Sequence, residues 1–125
     1  MNEKLKKLND IKIENFIWII YIVIIFLSYN ANYKEKKYIL YNDFKSKQEY
    51  QTLLIIIFSI LLVIYLYYAT NSYNEIKNLK YYDSMKKKYL TYASFIGSFL
   101  VSLSGIIFLI IAIIDDEINV EIAFN

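Results

Sequence analysis

The chain has 125 residues, of which 58% are hydrophobic and 21% are charged, and its formal net charge is +2. It contains no cysteine, histidine or proline, which excludes disulfides, Cys/His metal sites and a histidine pH switch. All 14 basic residues are lysine, and lysine, isoleucine, asparagine and tyrosine make 63 of the 125 residues. This bias indicates an AT-rich bacterial genome, so the many tyrosines are weak evidence of a binding surface.

The apolar residues are gathered in three blocks without a charged side chain, at 15–33, 50–74 and 89–114. At about 1.5 Å per residue, each block is long enough to cross a hydrocarbon core of about 30 Å as a helix. A charge at mid-span would cost about 2.5–3.5 kcal/mol on insertion scales. The sequence therefore predicts an all-α integral membrane protein of one domain with three transmembrane helices, at about 15–33, 50–69 and 89–114.

The first block has one alternative interpretation, a cleaved signal peptide after MNEKLKKLND. Cleavage after Ala31 would place Tyr29 at a position that prefers a small residue, so we interpret the block as a retained helix. It is preceded by Leu5, Leu8 and Ile11 among lysines. That spacing predicts a short amphipathic segment at the membrane surface.

The segment from Ala31 to Lys45 is expected to form the first loop, with YILYNDF resting on the headgroups. Ser46 and Glu49 follow immediately before the second block and match a helix N-terminal capping box. Because TNSYNEIKNLK contains no proline or glycine, the second helix is expected to run from residue 46 to about residue 80.

A turn is expected at YYDS, with Asp83 or Ser84 as the N-cap of a third helix over 85–116. The second and third helices then form a long antiparallel hairpin whose tip projects beyond the bilayer. The chain ends in an acidic tail at 115–125.

Lysine counts predict the orientation in the membrane. Nine lysines lie in the N-terminal segment and the second loop, against five between the first two spans and none in the C-terminal tail. The positive-inside rule then places the N-terminus in the cytoplasm and the C-terminus outside the cell membrane. We interpret one set of lysines as contacts to anionic lipid that determine topology, rather than as a nucleic-acid site: Lys4, Lys6, Lys7, Lys77, Lys80, Lys86, Lys87 and Lys88.

The stretch ASFIGSFLVSLSG at 93–105 mixes small residues with bulky apolar ones. On a helix, most of the small residues fall on one half of the surface, opposite a wholly bulky half that is typical of lipid contact. Small residues at four-residue spacing permit the close backbone approach on which helix association in lipid depends. We therefore predict a helix-packing face formed by Ala93, Ser94, Gly97, Ser98, Ser102 and Gly105, with another span or another chain as its partner.

Other chemistry is less well supported by the sequence. Ser94, Ser98, Ser102 and Ser104 would line a polar path only in an oligomer, and a catalytic serine lacks a base inside the spans. Asp115, Asp116, Glu117 and Glu121 do not have the spacing of a calcium loop and are interpreted as a solvated tail. We therefore expect no enzymatic activity, no metal and no cofactor.

The phrases ENFIWIIY, KKKYLTYAS and DDEINVEIAFN resemble small three-span membrane proteins of low-GC, clostridia-like bacteria. The resemblance covers most of the chain and implies a membrane location without a known activity. We expect a non-enzymatic protein that acts through helix–helix partners, as an accessory, regulatory or immunity-type subunit or a self-associating scaffold. The alternative is an oligomeric pore former of the holin type, although holins commonly end in a basic cytoplasmic tail.

Overall fold

The computed structural model describes residues 2–114, which form three α-helices joined by two short turns. Helix α1 comprises Asn2–Tyr41, α2 comprises Phe44–Lys77 and α3 comprises Met85–Ile114. All three are long and apolar enough to cross a membrane. The predicted all-α class with three transmembrane helices is confirmed.

The chain divides into two units, and the boundary lies inside α2 between Leu53 and Leu54. The first unit contains α1 and the first residues of α2. The second contains the remainder of α2 together with α3. Because α1 has 40 residues, it extends about 60 Å, twice the thickness of a hydrocarbon core. Because α1 begins at Asn2, the amphipathic segment with Leu5, Leu8 and Ile11 is the first part of this helix, as expected from the sequence.

The first turn is much shorter than the loop predicted from Ala31 to Lys45. Helix α1 continues to Tyr41, and only two residues separate it from α2. The prediction was wrong because residues 31–41 contain no glycine or proline to end a helix. A cation–π contact also supports this part of α1, since Lys37 Nζ lies 5.2 Å from the ring centroid of Tyr33, four residues earlier.

Asn42 ends α1. Its φ angle is 51°, in the left-handed region that asparagine adopts more readily than other residues with a side chain. Its backbone N–H donates to the carbonyl oxygen of Tyr38 at 2.8 Å. This hydrogen bond satisfies one of the last carbonyls of the helix, so Asn42 serves as a C-terminal cap without glycine.

Asp43 is the N-cap of α2, in place of the predicted Ser46. Its Oδ1 accepts the N–H of Lys45 at 3.2 Å and its Oδ2 accepts the Ser46 hydroxyl at 2.8 Å. The hydrogen bond from Ser46 is the main reason that the pKa of Asp43 lies below its ordinary value. The predicted capping box was wrong because Asp43 precedes it as a better-placed acceptor, and Glu49 forms an ion pair with Lys34 of α1 instead.

The second part of α2 packs antiparallel against α3, which confirms the predicted hairpin. The rings of Phe58 and Phe108 stack with their centroids 5.8 Å apart. Further along α2, the Oγ atoms of Ser72 and Ser98 lie 3.5 Å apart. Residue numbers rise along α2 as they fall along α3, so the two helices run in opposite directions.

The turn at residues 78–84 connects these helices and is held by two side chains. Asp83 Oδ2 accepts the N–H of Lys80 at 2.8 Å, and this hydrogen bond is the largest cause of the lowered pKa of Asp83. Ser84 Oγ accepts the N–H of Lys87 at 3.1 Å. Ser84 is therefore the N-cap of α3, one of the two residues that the sequence indicated.

The valine substitution Asn42→Val is expected to destabilise the protein by about 1–2 kcal/mol, because a β-branched side chain is strained in the left-handed region. Asn42→Gly is expected to be neutral or slightly stabilising, since glycine adopts this region freely. Thermal unfolding of the purified protein in a mild detergent measures both effects. Asn30→Val, at an exposed position inside α1, is the matched control; an equal loss there contradicts the assignment.

Candidate helix-packing site on α3

The structure divides the predicted packing face of α3 into two groups. Ser98 is half-buried, and Ser102 and Gly105 are buried. Ala93, Ser94 and Gly97 are exposed. Only the first group therefore lies at a surface that is covered within the structure.

At Gly105, side chains of α2 lie directly against α3. A Cβ atom at this position would lie 3.2 Å from Cδ2 of Tyr65 and 3.5 Å from Cδ1 of Leu62. The first distance is tighter than nearly all real Cβ contacts. Glycine thus lets the α2 side chains contact the backbone of α3, which is how small residues promote packing between membrane helices.

One pair of serines, Ser72 and Ser98, connects the two helices, and Ser102 is hydrogen-bonded within α3. Ser72 and Ser98 face each other across the hairpin, and the Ser102 hydroxyl donates to the carbonyl oxygen of Ser98 at 2.9 Å. Ser72 and Ser102 are 7% and 4% exposed. Each buried hydroxyl therefore has a partner, as a low-dielectric interior requires, and the hydrogen bonds favour one register of the hairpin.

The less exposed residues of α3 recur at alternating spacings of four and three. Apart from Lys88, Phe108 and Ile111, which are also half-buried, they are residues 91, 95, 98, 102, 105, 109 and 112, all buried or half-buried. We call this set the hairpin seam. The spacing is typical of the left-handed packing seen in coiled coils. It is narrower than the half-helix face predicted from the sequence, which explains why Ala93, Ser94 and Gly97 are not covered.

A second set of α3 residues has the same spacing but is exposed. Ser94, Gly97, Val101 and Ser104 follow one another at intervals of three, four and three, about 100° around the helix from the hairpin seam. We call this set the outer stripe. A Cβ atom at Gly97 would have nothing within 4 Å. Three of the four residues of the outer stripe are therefore small, and the surface at Gly97 is open.

The four serines that the sequence suggested for a polar path do not share one surface. Ser98 and Ser102 belong to the hairpin seam, whereas Ser94 and Ser104 are exposed. The Ser104 hydroxyl donates to the carbonyl oxygen of Leu100, one turn earlier in the same helix. The four serines therefore suit helix packing on two sides of α3 better than they suit the lining of one water-filled channel.

The α2 side of the hairpin was not predicted. The second span was predicted to end at residue 69, so Ser72 was not predicted as a contact for α3. A signal was nonetheless present, because Phe58, Tyr65 and Ser72 recur every seven residues. Such a repeat is typical of a helix that packs along one line.

The lysines interpreted as lipid contacts lie at three places. Lys4, Lys6 and Lys7 are exposed in the first turns of α1. Lys77 ends α2 and Lys80 lies in the turn, while Lys86, Lys87 and Lys88 occupy the first turn of α3. The second and third groups are thus brought together at the hairpin tip.

The acidic residues Asp115, Asp116, Glu117 and Glu121 lie outside the described residues. Within residues 2–114, no group of three or more Asp or Glu side chains is placed to hold a metal ion. No protein family, curated protein or solved structure matches the chain. The packing geometry of α3 and the charges at the hairpin tip therefore carry the functional argument.

The double variant Ser72→Cys/Ser98→Cys is expected to form an intramolecular disulfide on mild oxidation, because the two hydroxyl oxygens lie 3.5 Å apart. The chain has no other cysteine, so migration on a non-reducing gel reports the bond directly. Ser72→Cys/Ser94→Cys is the matched control and should stay reduced, since Ser94 is exposed and lies about 6 Å along α3 from Ser98. Equal oxidation of the two pairs contradicts the described register.

The two glycines of α3 are expected to respond differently to leucine. Gly105→Leu overpacks the hairpin against Tyr65 and Leu62 and should cost about 1–3 kcal/mol. Gly97→Leu meets open space and should change the unfolding free energy by less than about 1 kcal/mol, in the stabilising direction, since leucine favours helices. Thermal unfolding and disulfide yield in the Ser72→Cys/Ser98→Cys background measure both. Similar losses at the two positions contradict the division of the face.

Proposed function

We propose that this chain is a non-enzymatic multi-pass protein of the cell membrane that acts through helix–helix contacts with a membrane partner. The partner is a second copy of the chain in a self-associating scaffold, or the protein that this chain serves as an accessory, regulatory or immunity-type subunit. The observation that carries the proposal is the outer stripe of α3. It remains exposed although the neighbouring seam already packs on α2.

The outer stripe has the properties that a helix-packing surface needs in lipid. Lipid tails are as apolar as leucine, so helices associate through close contact and hydrogen bonds rather than through the hydrophobic effect. Gly97 permits close approach, and Ser94 and Ser104 present hydroxyl groups on either side of it. The opposite side of α3 carries bulky residues such as Phe99, Ile106 and Ile110, all exposed, which suit direct contact with lipid tails.

The hairpin seam supports the proposal because it shows how α3 already packs against another helix. The same helix uses Gly105 for close contact and Ser98 for an interhelical hydrogen bond with α2. The outer stripe repeats this combination at the same three- and four-residue spacing. The charge-free spans support a non-enzymatic role, since they provide no acid, base or cation for chemistry inside the bilayer.

The lysine distribution supports an orientation with the N-terminus and the hairpin tip in the cytoplasm and the C-terminus outside. The alternative function, an oligomeric pore former, needs polar side chains along one surface. Ser98 and Ser102 are engaged in the hairpin instead, so the packing function is the better supported of the two.

The double variant Ser94→Leu/Gly97→Leu is expected to weaken self-association or partner capture by about tenfold or more, because bulky side chains hold the backbones apart. Differently tagged copies, co-purified in a mild detergent and examined by energy transfer in vesicles, measure self-association. Co-purification from native membranes, with the captured protein identified, measures a heterologous partner. The Ser72→Cys/Ser98→Cys disulfide confirms that the hairpin is intact.

Ile106→Leu/Ile110→Leu adds no bulk on the opposite side of α3 and is the matched control. Unchanged assembly of the Ser94→Leu/Gly97→Leu variant contradicts the proposal. Rapid collapse of the membrane potential on induced expression, lost in the same variant, favours the pore-forming alternative.

A further inference from the structure

The contact between Tyr73 and Phe95 marks where the hairpin leaves the apolar layer. Their ring centroids lie 5.8 Å apart. From Phe95 to Ile114, α3 contains no charged residue. At about 1.5 Å per residue these two residues lie about 30 Å apart, which is the thickness of a hydrocarbon core. Residues 74–94, which we call the tip, therefore extend outward from the membrane interface, with the lysines farthest from the apolar layer.

The tip carries a strong positive charge. It contains five lysines, at positions 77, 80, 86, 87 and 88, against Glu75 and Asp83, a net charge of +3. One of the two carboxylates is already engaged, since Lys87 Nζ lies 3.4 Å from Asp83 Oδ1. The excess of cations is thus left for an anionic partner outside the hairpin.

Tyrosine rings lie among these cations. Lys77 Nζ lies 4.7 Å from the ring centroid of Tyr73, and Lys80 Nζ lies 5.7 Å from that of Tyr82. The ring of Tyr81 is 92% exposed and packs edge-on against Tyr82. Tyrosine is enriched at the membrane–water interface because its ring is apolar and its hydroxyl is polar. The tip therefore combines charge with side chains suited to the headgroup layer.

We propose that the tip is a docking surface for anionic lipid headgroups, which its lysines hold by their phosphate groups in the leaflet from which the hairpin emerges. The positive charge of the tip favours an anionic partner. The spread of its lysines around the hairpin favours a layer of lipid headgroups over a single bound molecule. Lys86, Lys87 and Lys88 are consecutive in a helix, so their positions span about 200° around α3. Lys87 Nζ pairs with Asp83, and Lys88 Nζ donates to the carbonyl oxygen of Tyr81 at 3.1 Å. Lys77 extends from the neighbouring helix.

A fan of cations matches phosphates that surround a pair of helices, whereas an acidic peptide or a nucleic acid is bound along one groove or face. The distances also agree with a lipid layer. Lys77 lies about 6 Å along α2 beyond Tyr73, and Lys88 lies about 10 Å along α3 before Phe95. Long lysine side chains can bridge from these heights to the phosphates. The inference does not depend on the helix–helix function proposed above.

The test uses the purified full chain in a mild detergent, with phosphatidylglycerol or phosphatidylcholine added, and native mass spectrometry to count bound lipids. We expect a preference for phosphatidylglycerol that falls about tenfold or more in the triple variant Lys86→Gln/Lys87→Gln/Lys88→Gln, because each lysine near an anionic surface contributes roughly fivefold. Lys86→Arg/Lys87→Arg/Lys88→Arg keeps the charge and should keep most of the preference.

Lys36→Gln/Lys37→Gln/Lys45→Gln removes the same charge around the other turn and is the matched control. Circular dichroism and the Ser72→Cys/Ser98→Cys disulfide show that each variant is folded. The proposal is overturned if the wild-type chain shows no preference for phosphatidylglycerol, or if the control triple variant loses it equally. It is also overturned if inorganic phosphate at the same concentration abolishes the preference, since the tip would then bind free anions.

Discussion

The α2–α3 hairpin depends on how closely the side chains of α2 approach the backbone of α3 at Gly105. In water, the burial of apolar surface would hold two such helices together, but lipid tails solvate the same surface equally well. Packing in a bilayer must therefore come from short contacts and from polar groups that find partners. Gly105 provides the first against Tyr65 and Leu62, and Ser72 with Ser98 provides the second.

This constraint explains the composition of α3. Small residues on the hairpin seam are used in contact with α2, and bulky residues on the far side face outward. The outer stripe belongs to neither class, because it is small and also exposed. A lipid-facing surface gains nothing from small residues, so the outer stripe is the feature that motivates a helix–helix function. Ser72 and Ser98 face each other, and the Ser102 hydroxyl donates to the Ser98 carbonyl oxygen, so these hydroxyl groups are used within the hairpin.

The two turns show how a chain without proline, and with glycine only in α3, ends its helices. Asn42 adopts the left-handed conformation that glycine usually provides, and Asp43 begins the next helix immediately. At the other turn, Asp83 and Ser84 supply the acceptors for exposed N–H groups. At this second turn five lysines outnumber two carboxylates, and the resulting net positive charge is the physical basis for the lipid contact proposed at the tip.

The helical class, the number of spans and the hairpin could all be predicted from the amino-acid sequence. A charge-free block of this length has one stable conformation in lipid, a helix in which every backbone group is hydrogen-bonded. The sequence also indicated Ser84 as a cap and the small residues of α3 as a contact. The predictions of the first loop and of the N-cap of α2 were wrong. YILYNDF was predicted to lie in a loop, although nothing in it ends a helix before Asn42. Which small residues of α3 pack on α2 depends on the tertiary structure and could not be predicted from local patterns. Burial depends on the register between two helices, and that register places Gly105 against Tyr65 while Gly97, eight residues earlier, is left exposed.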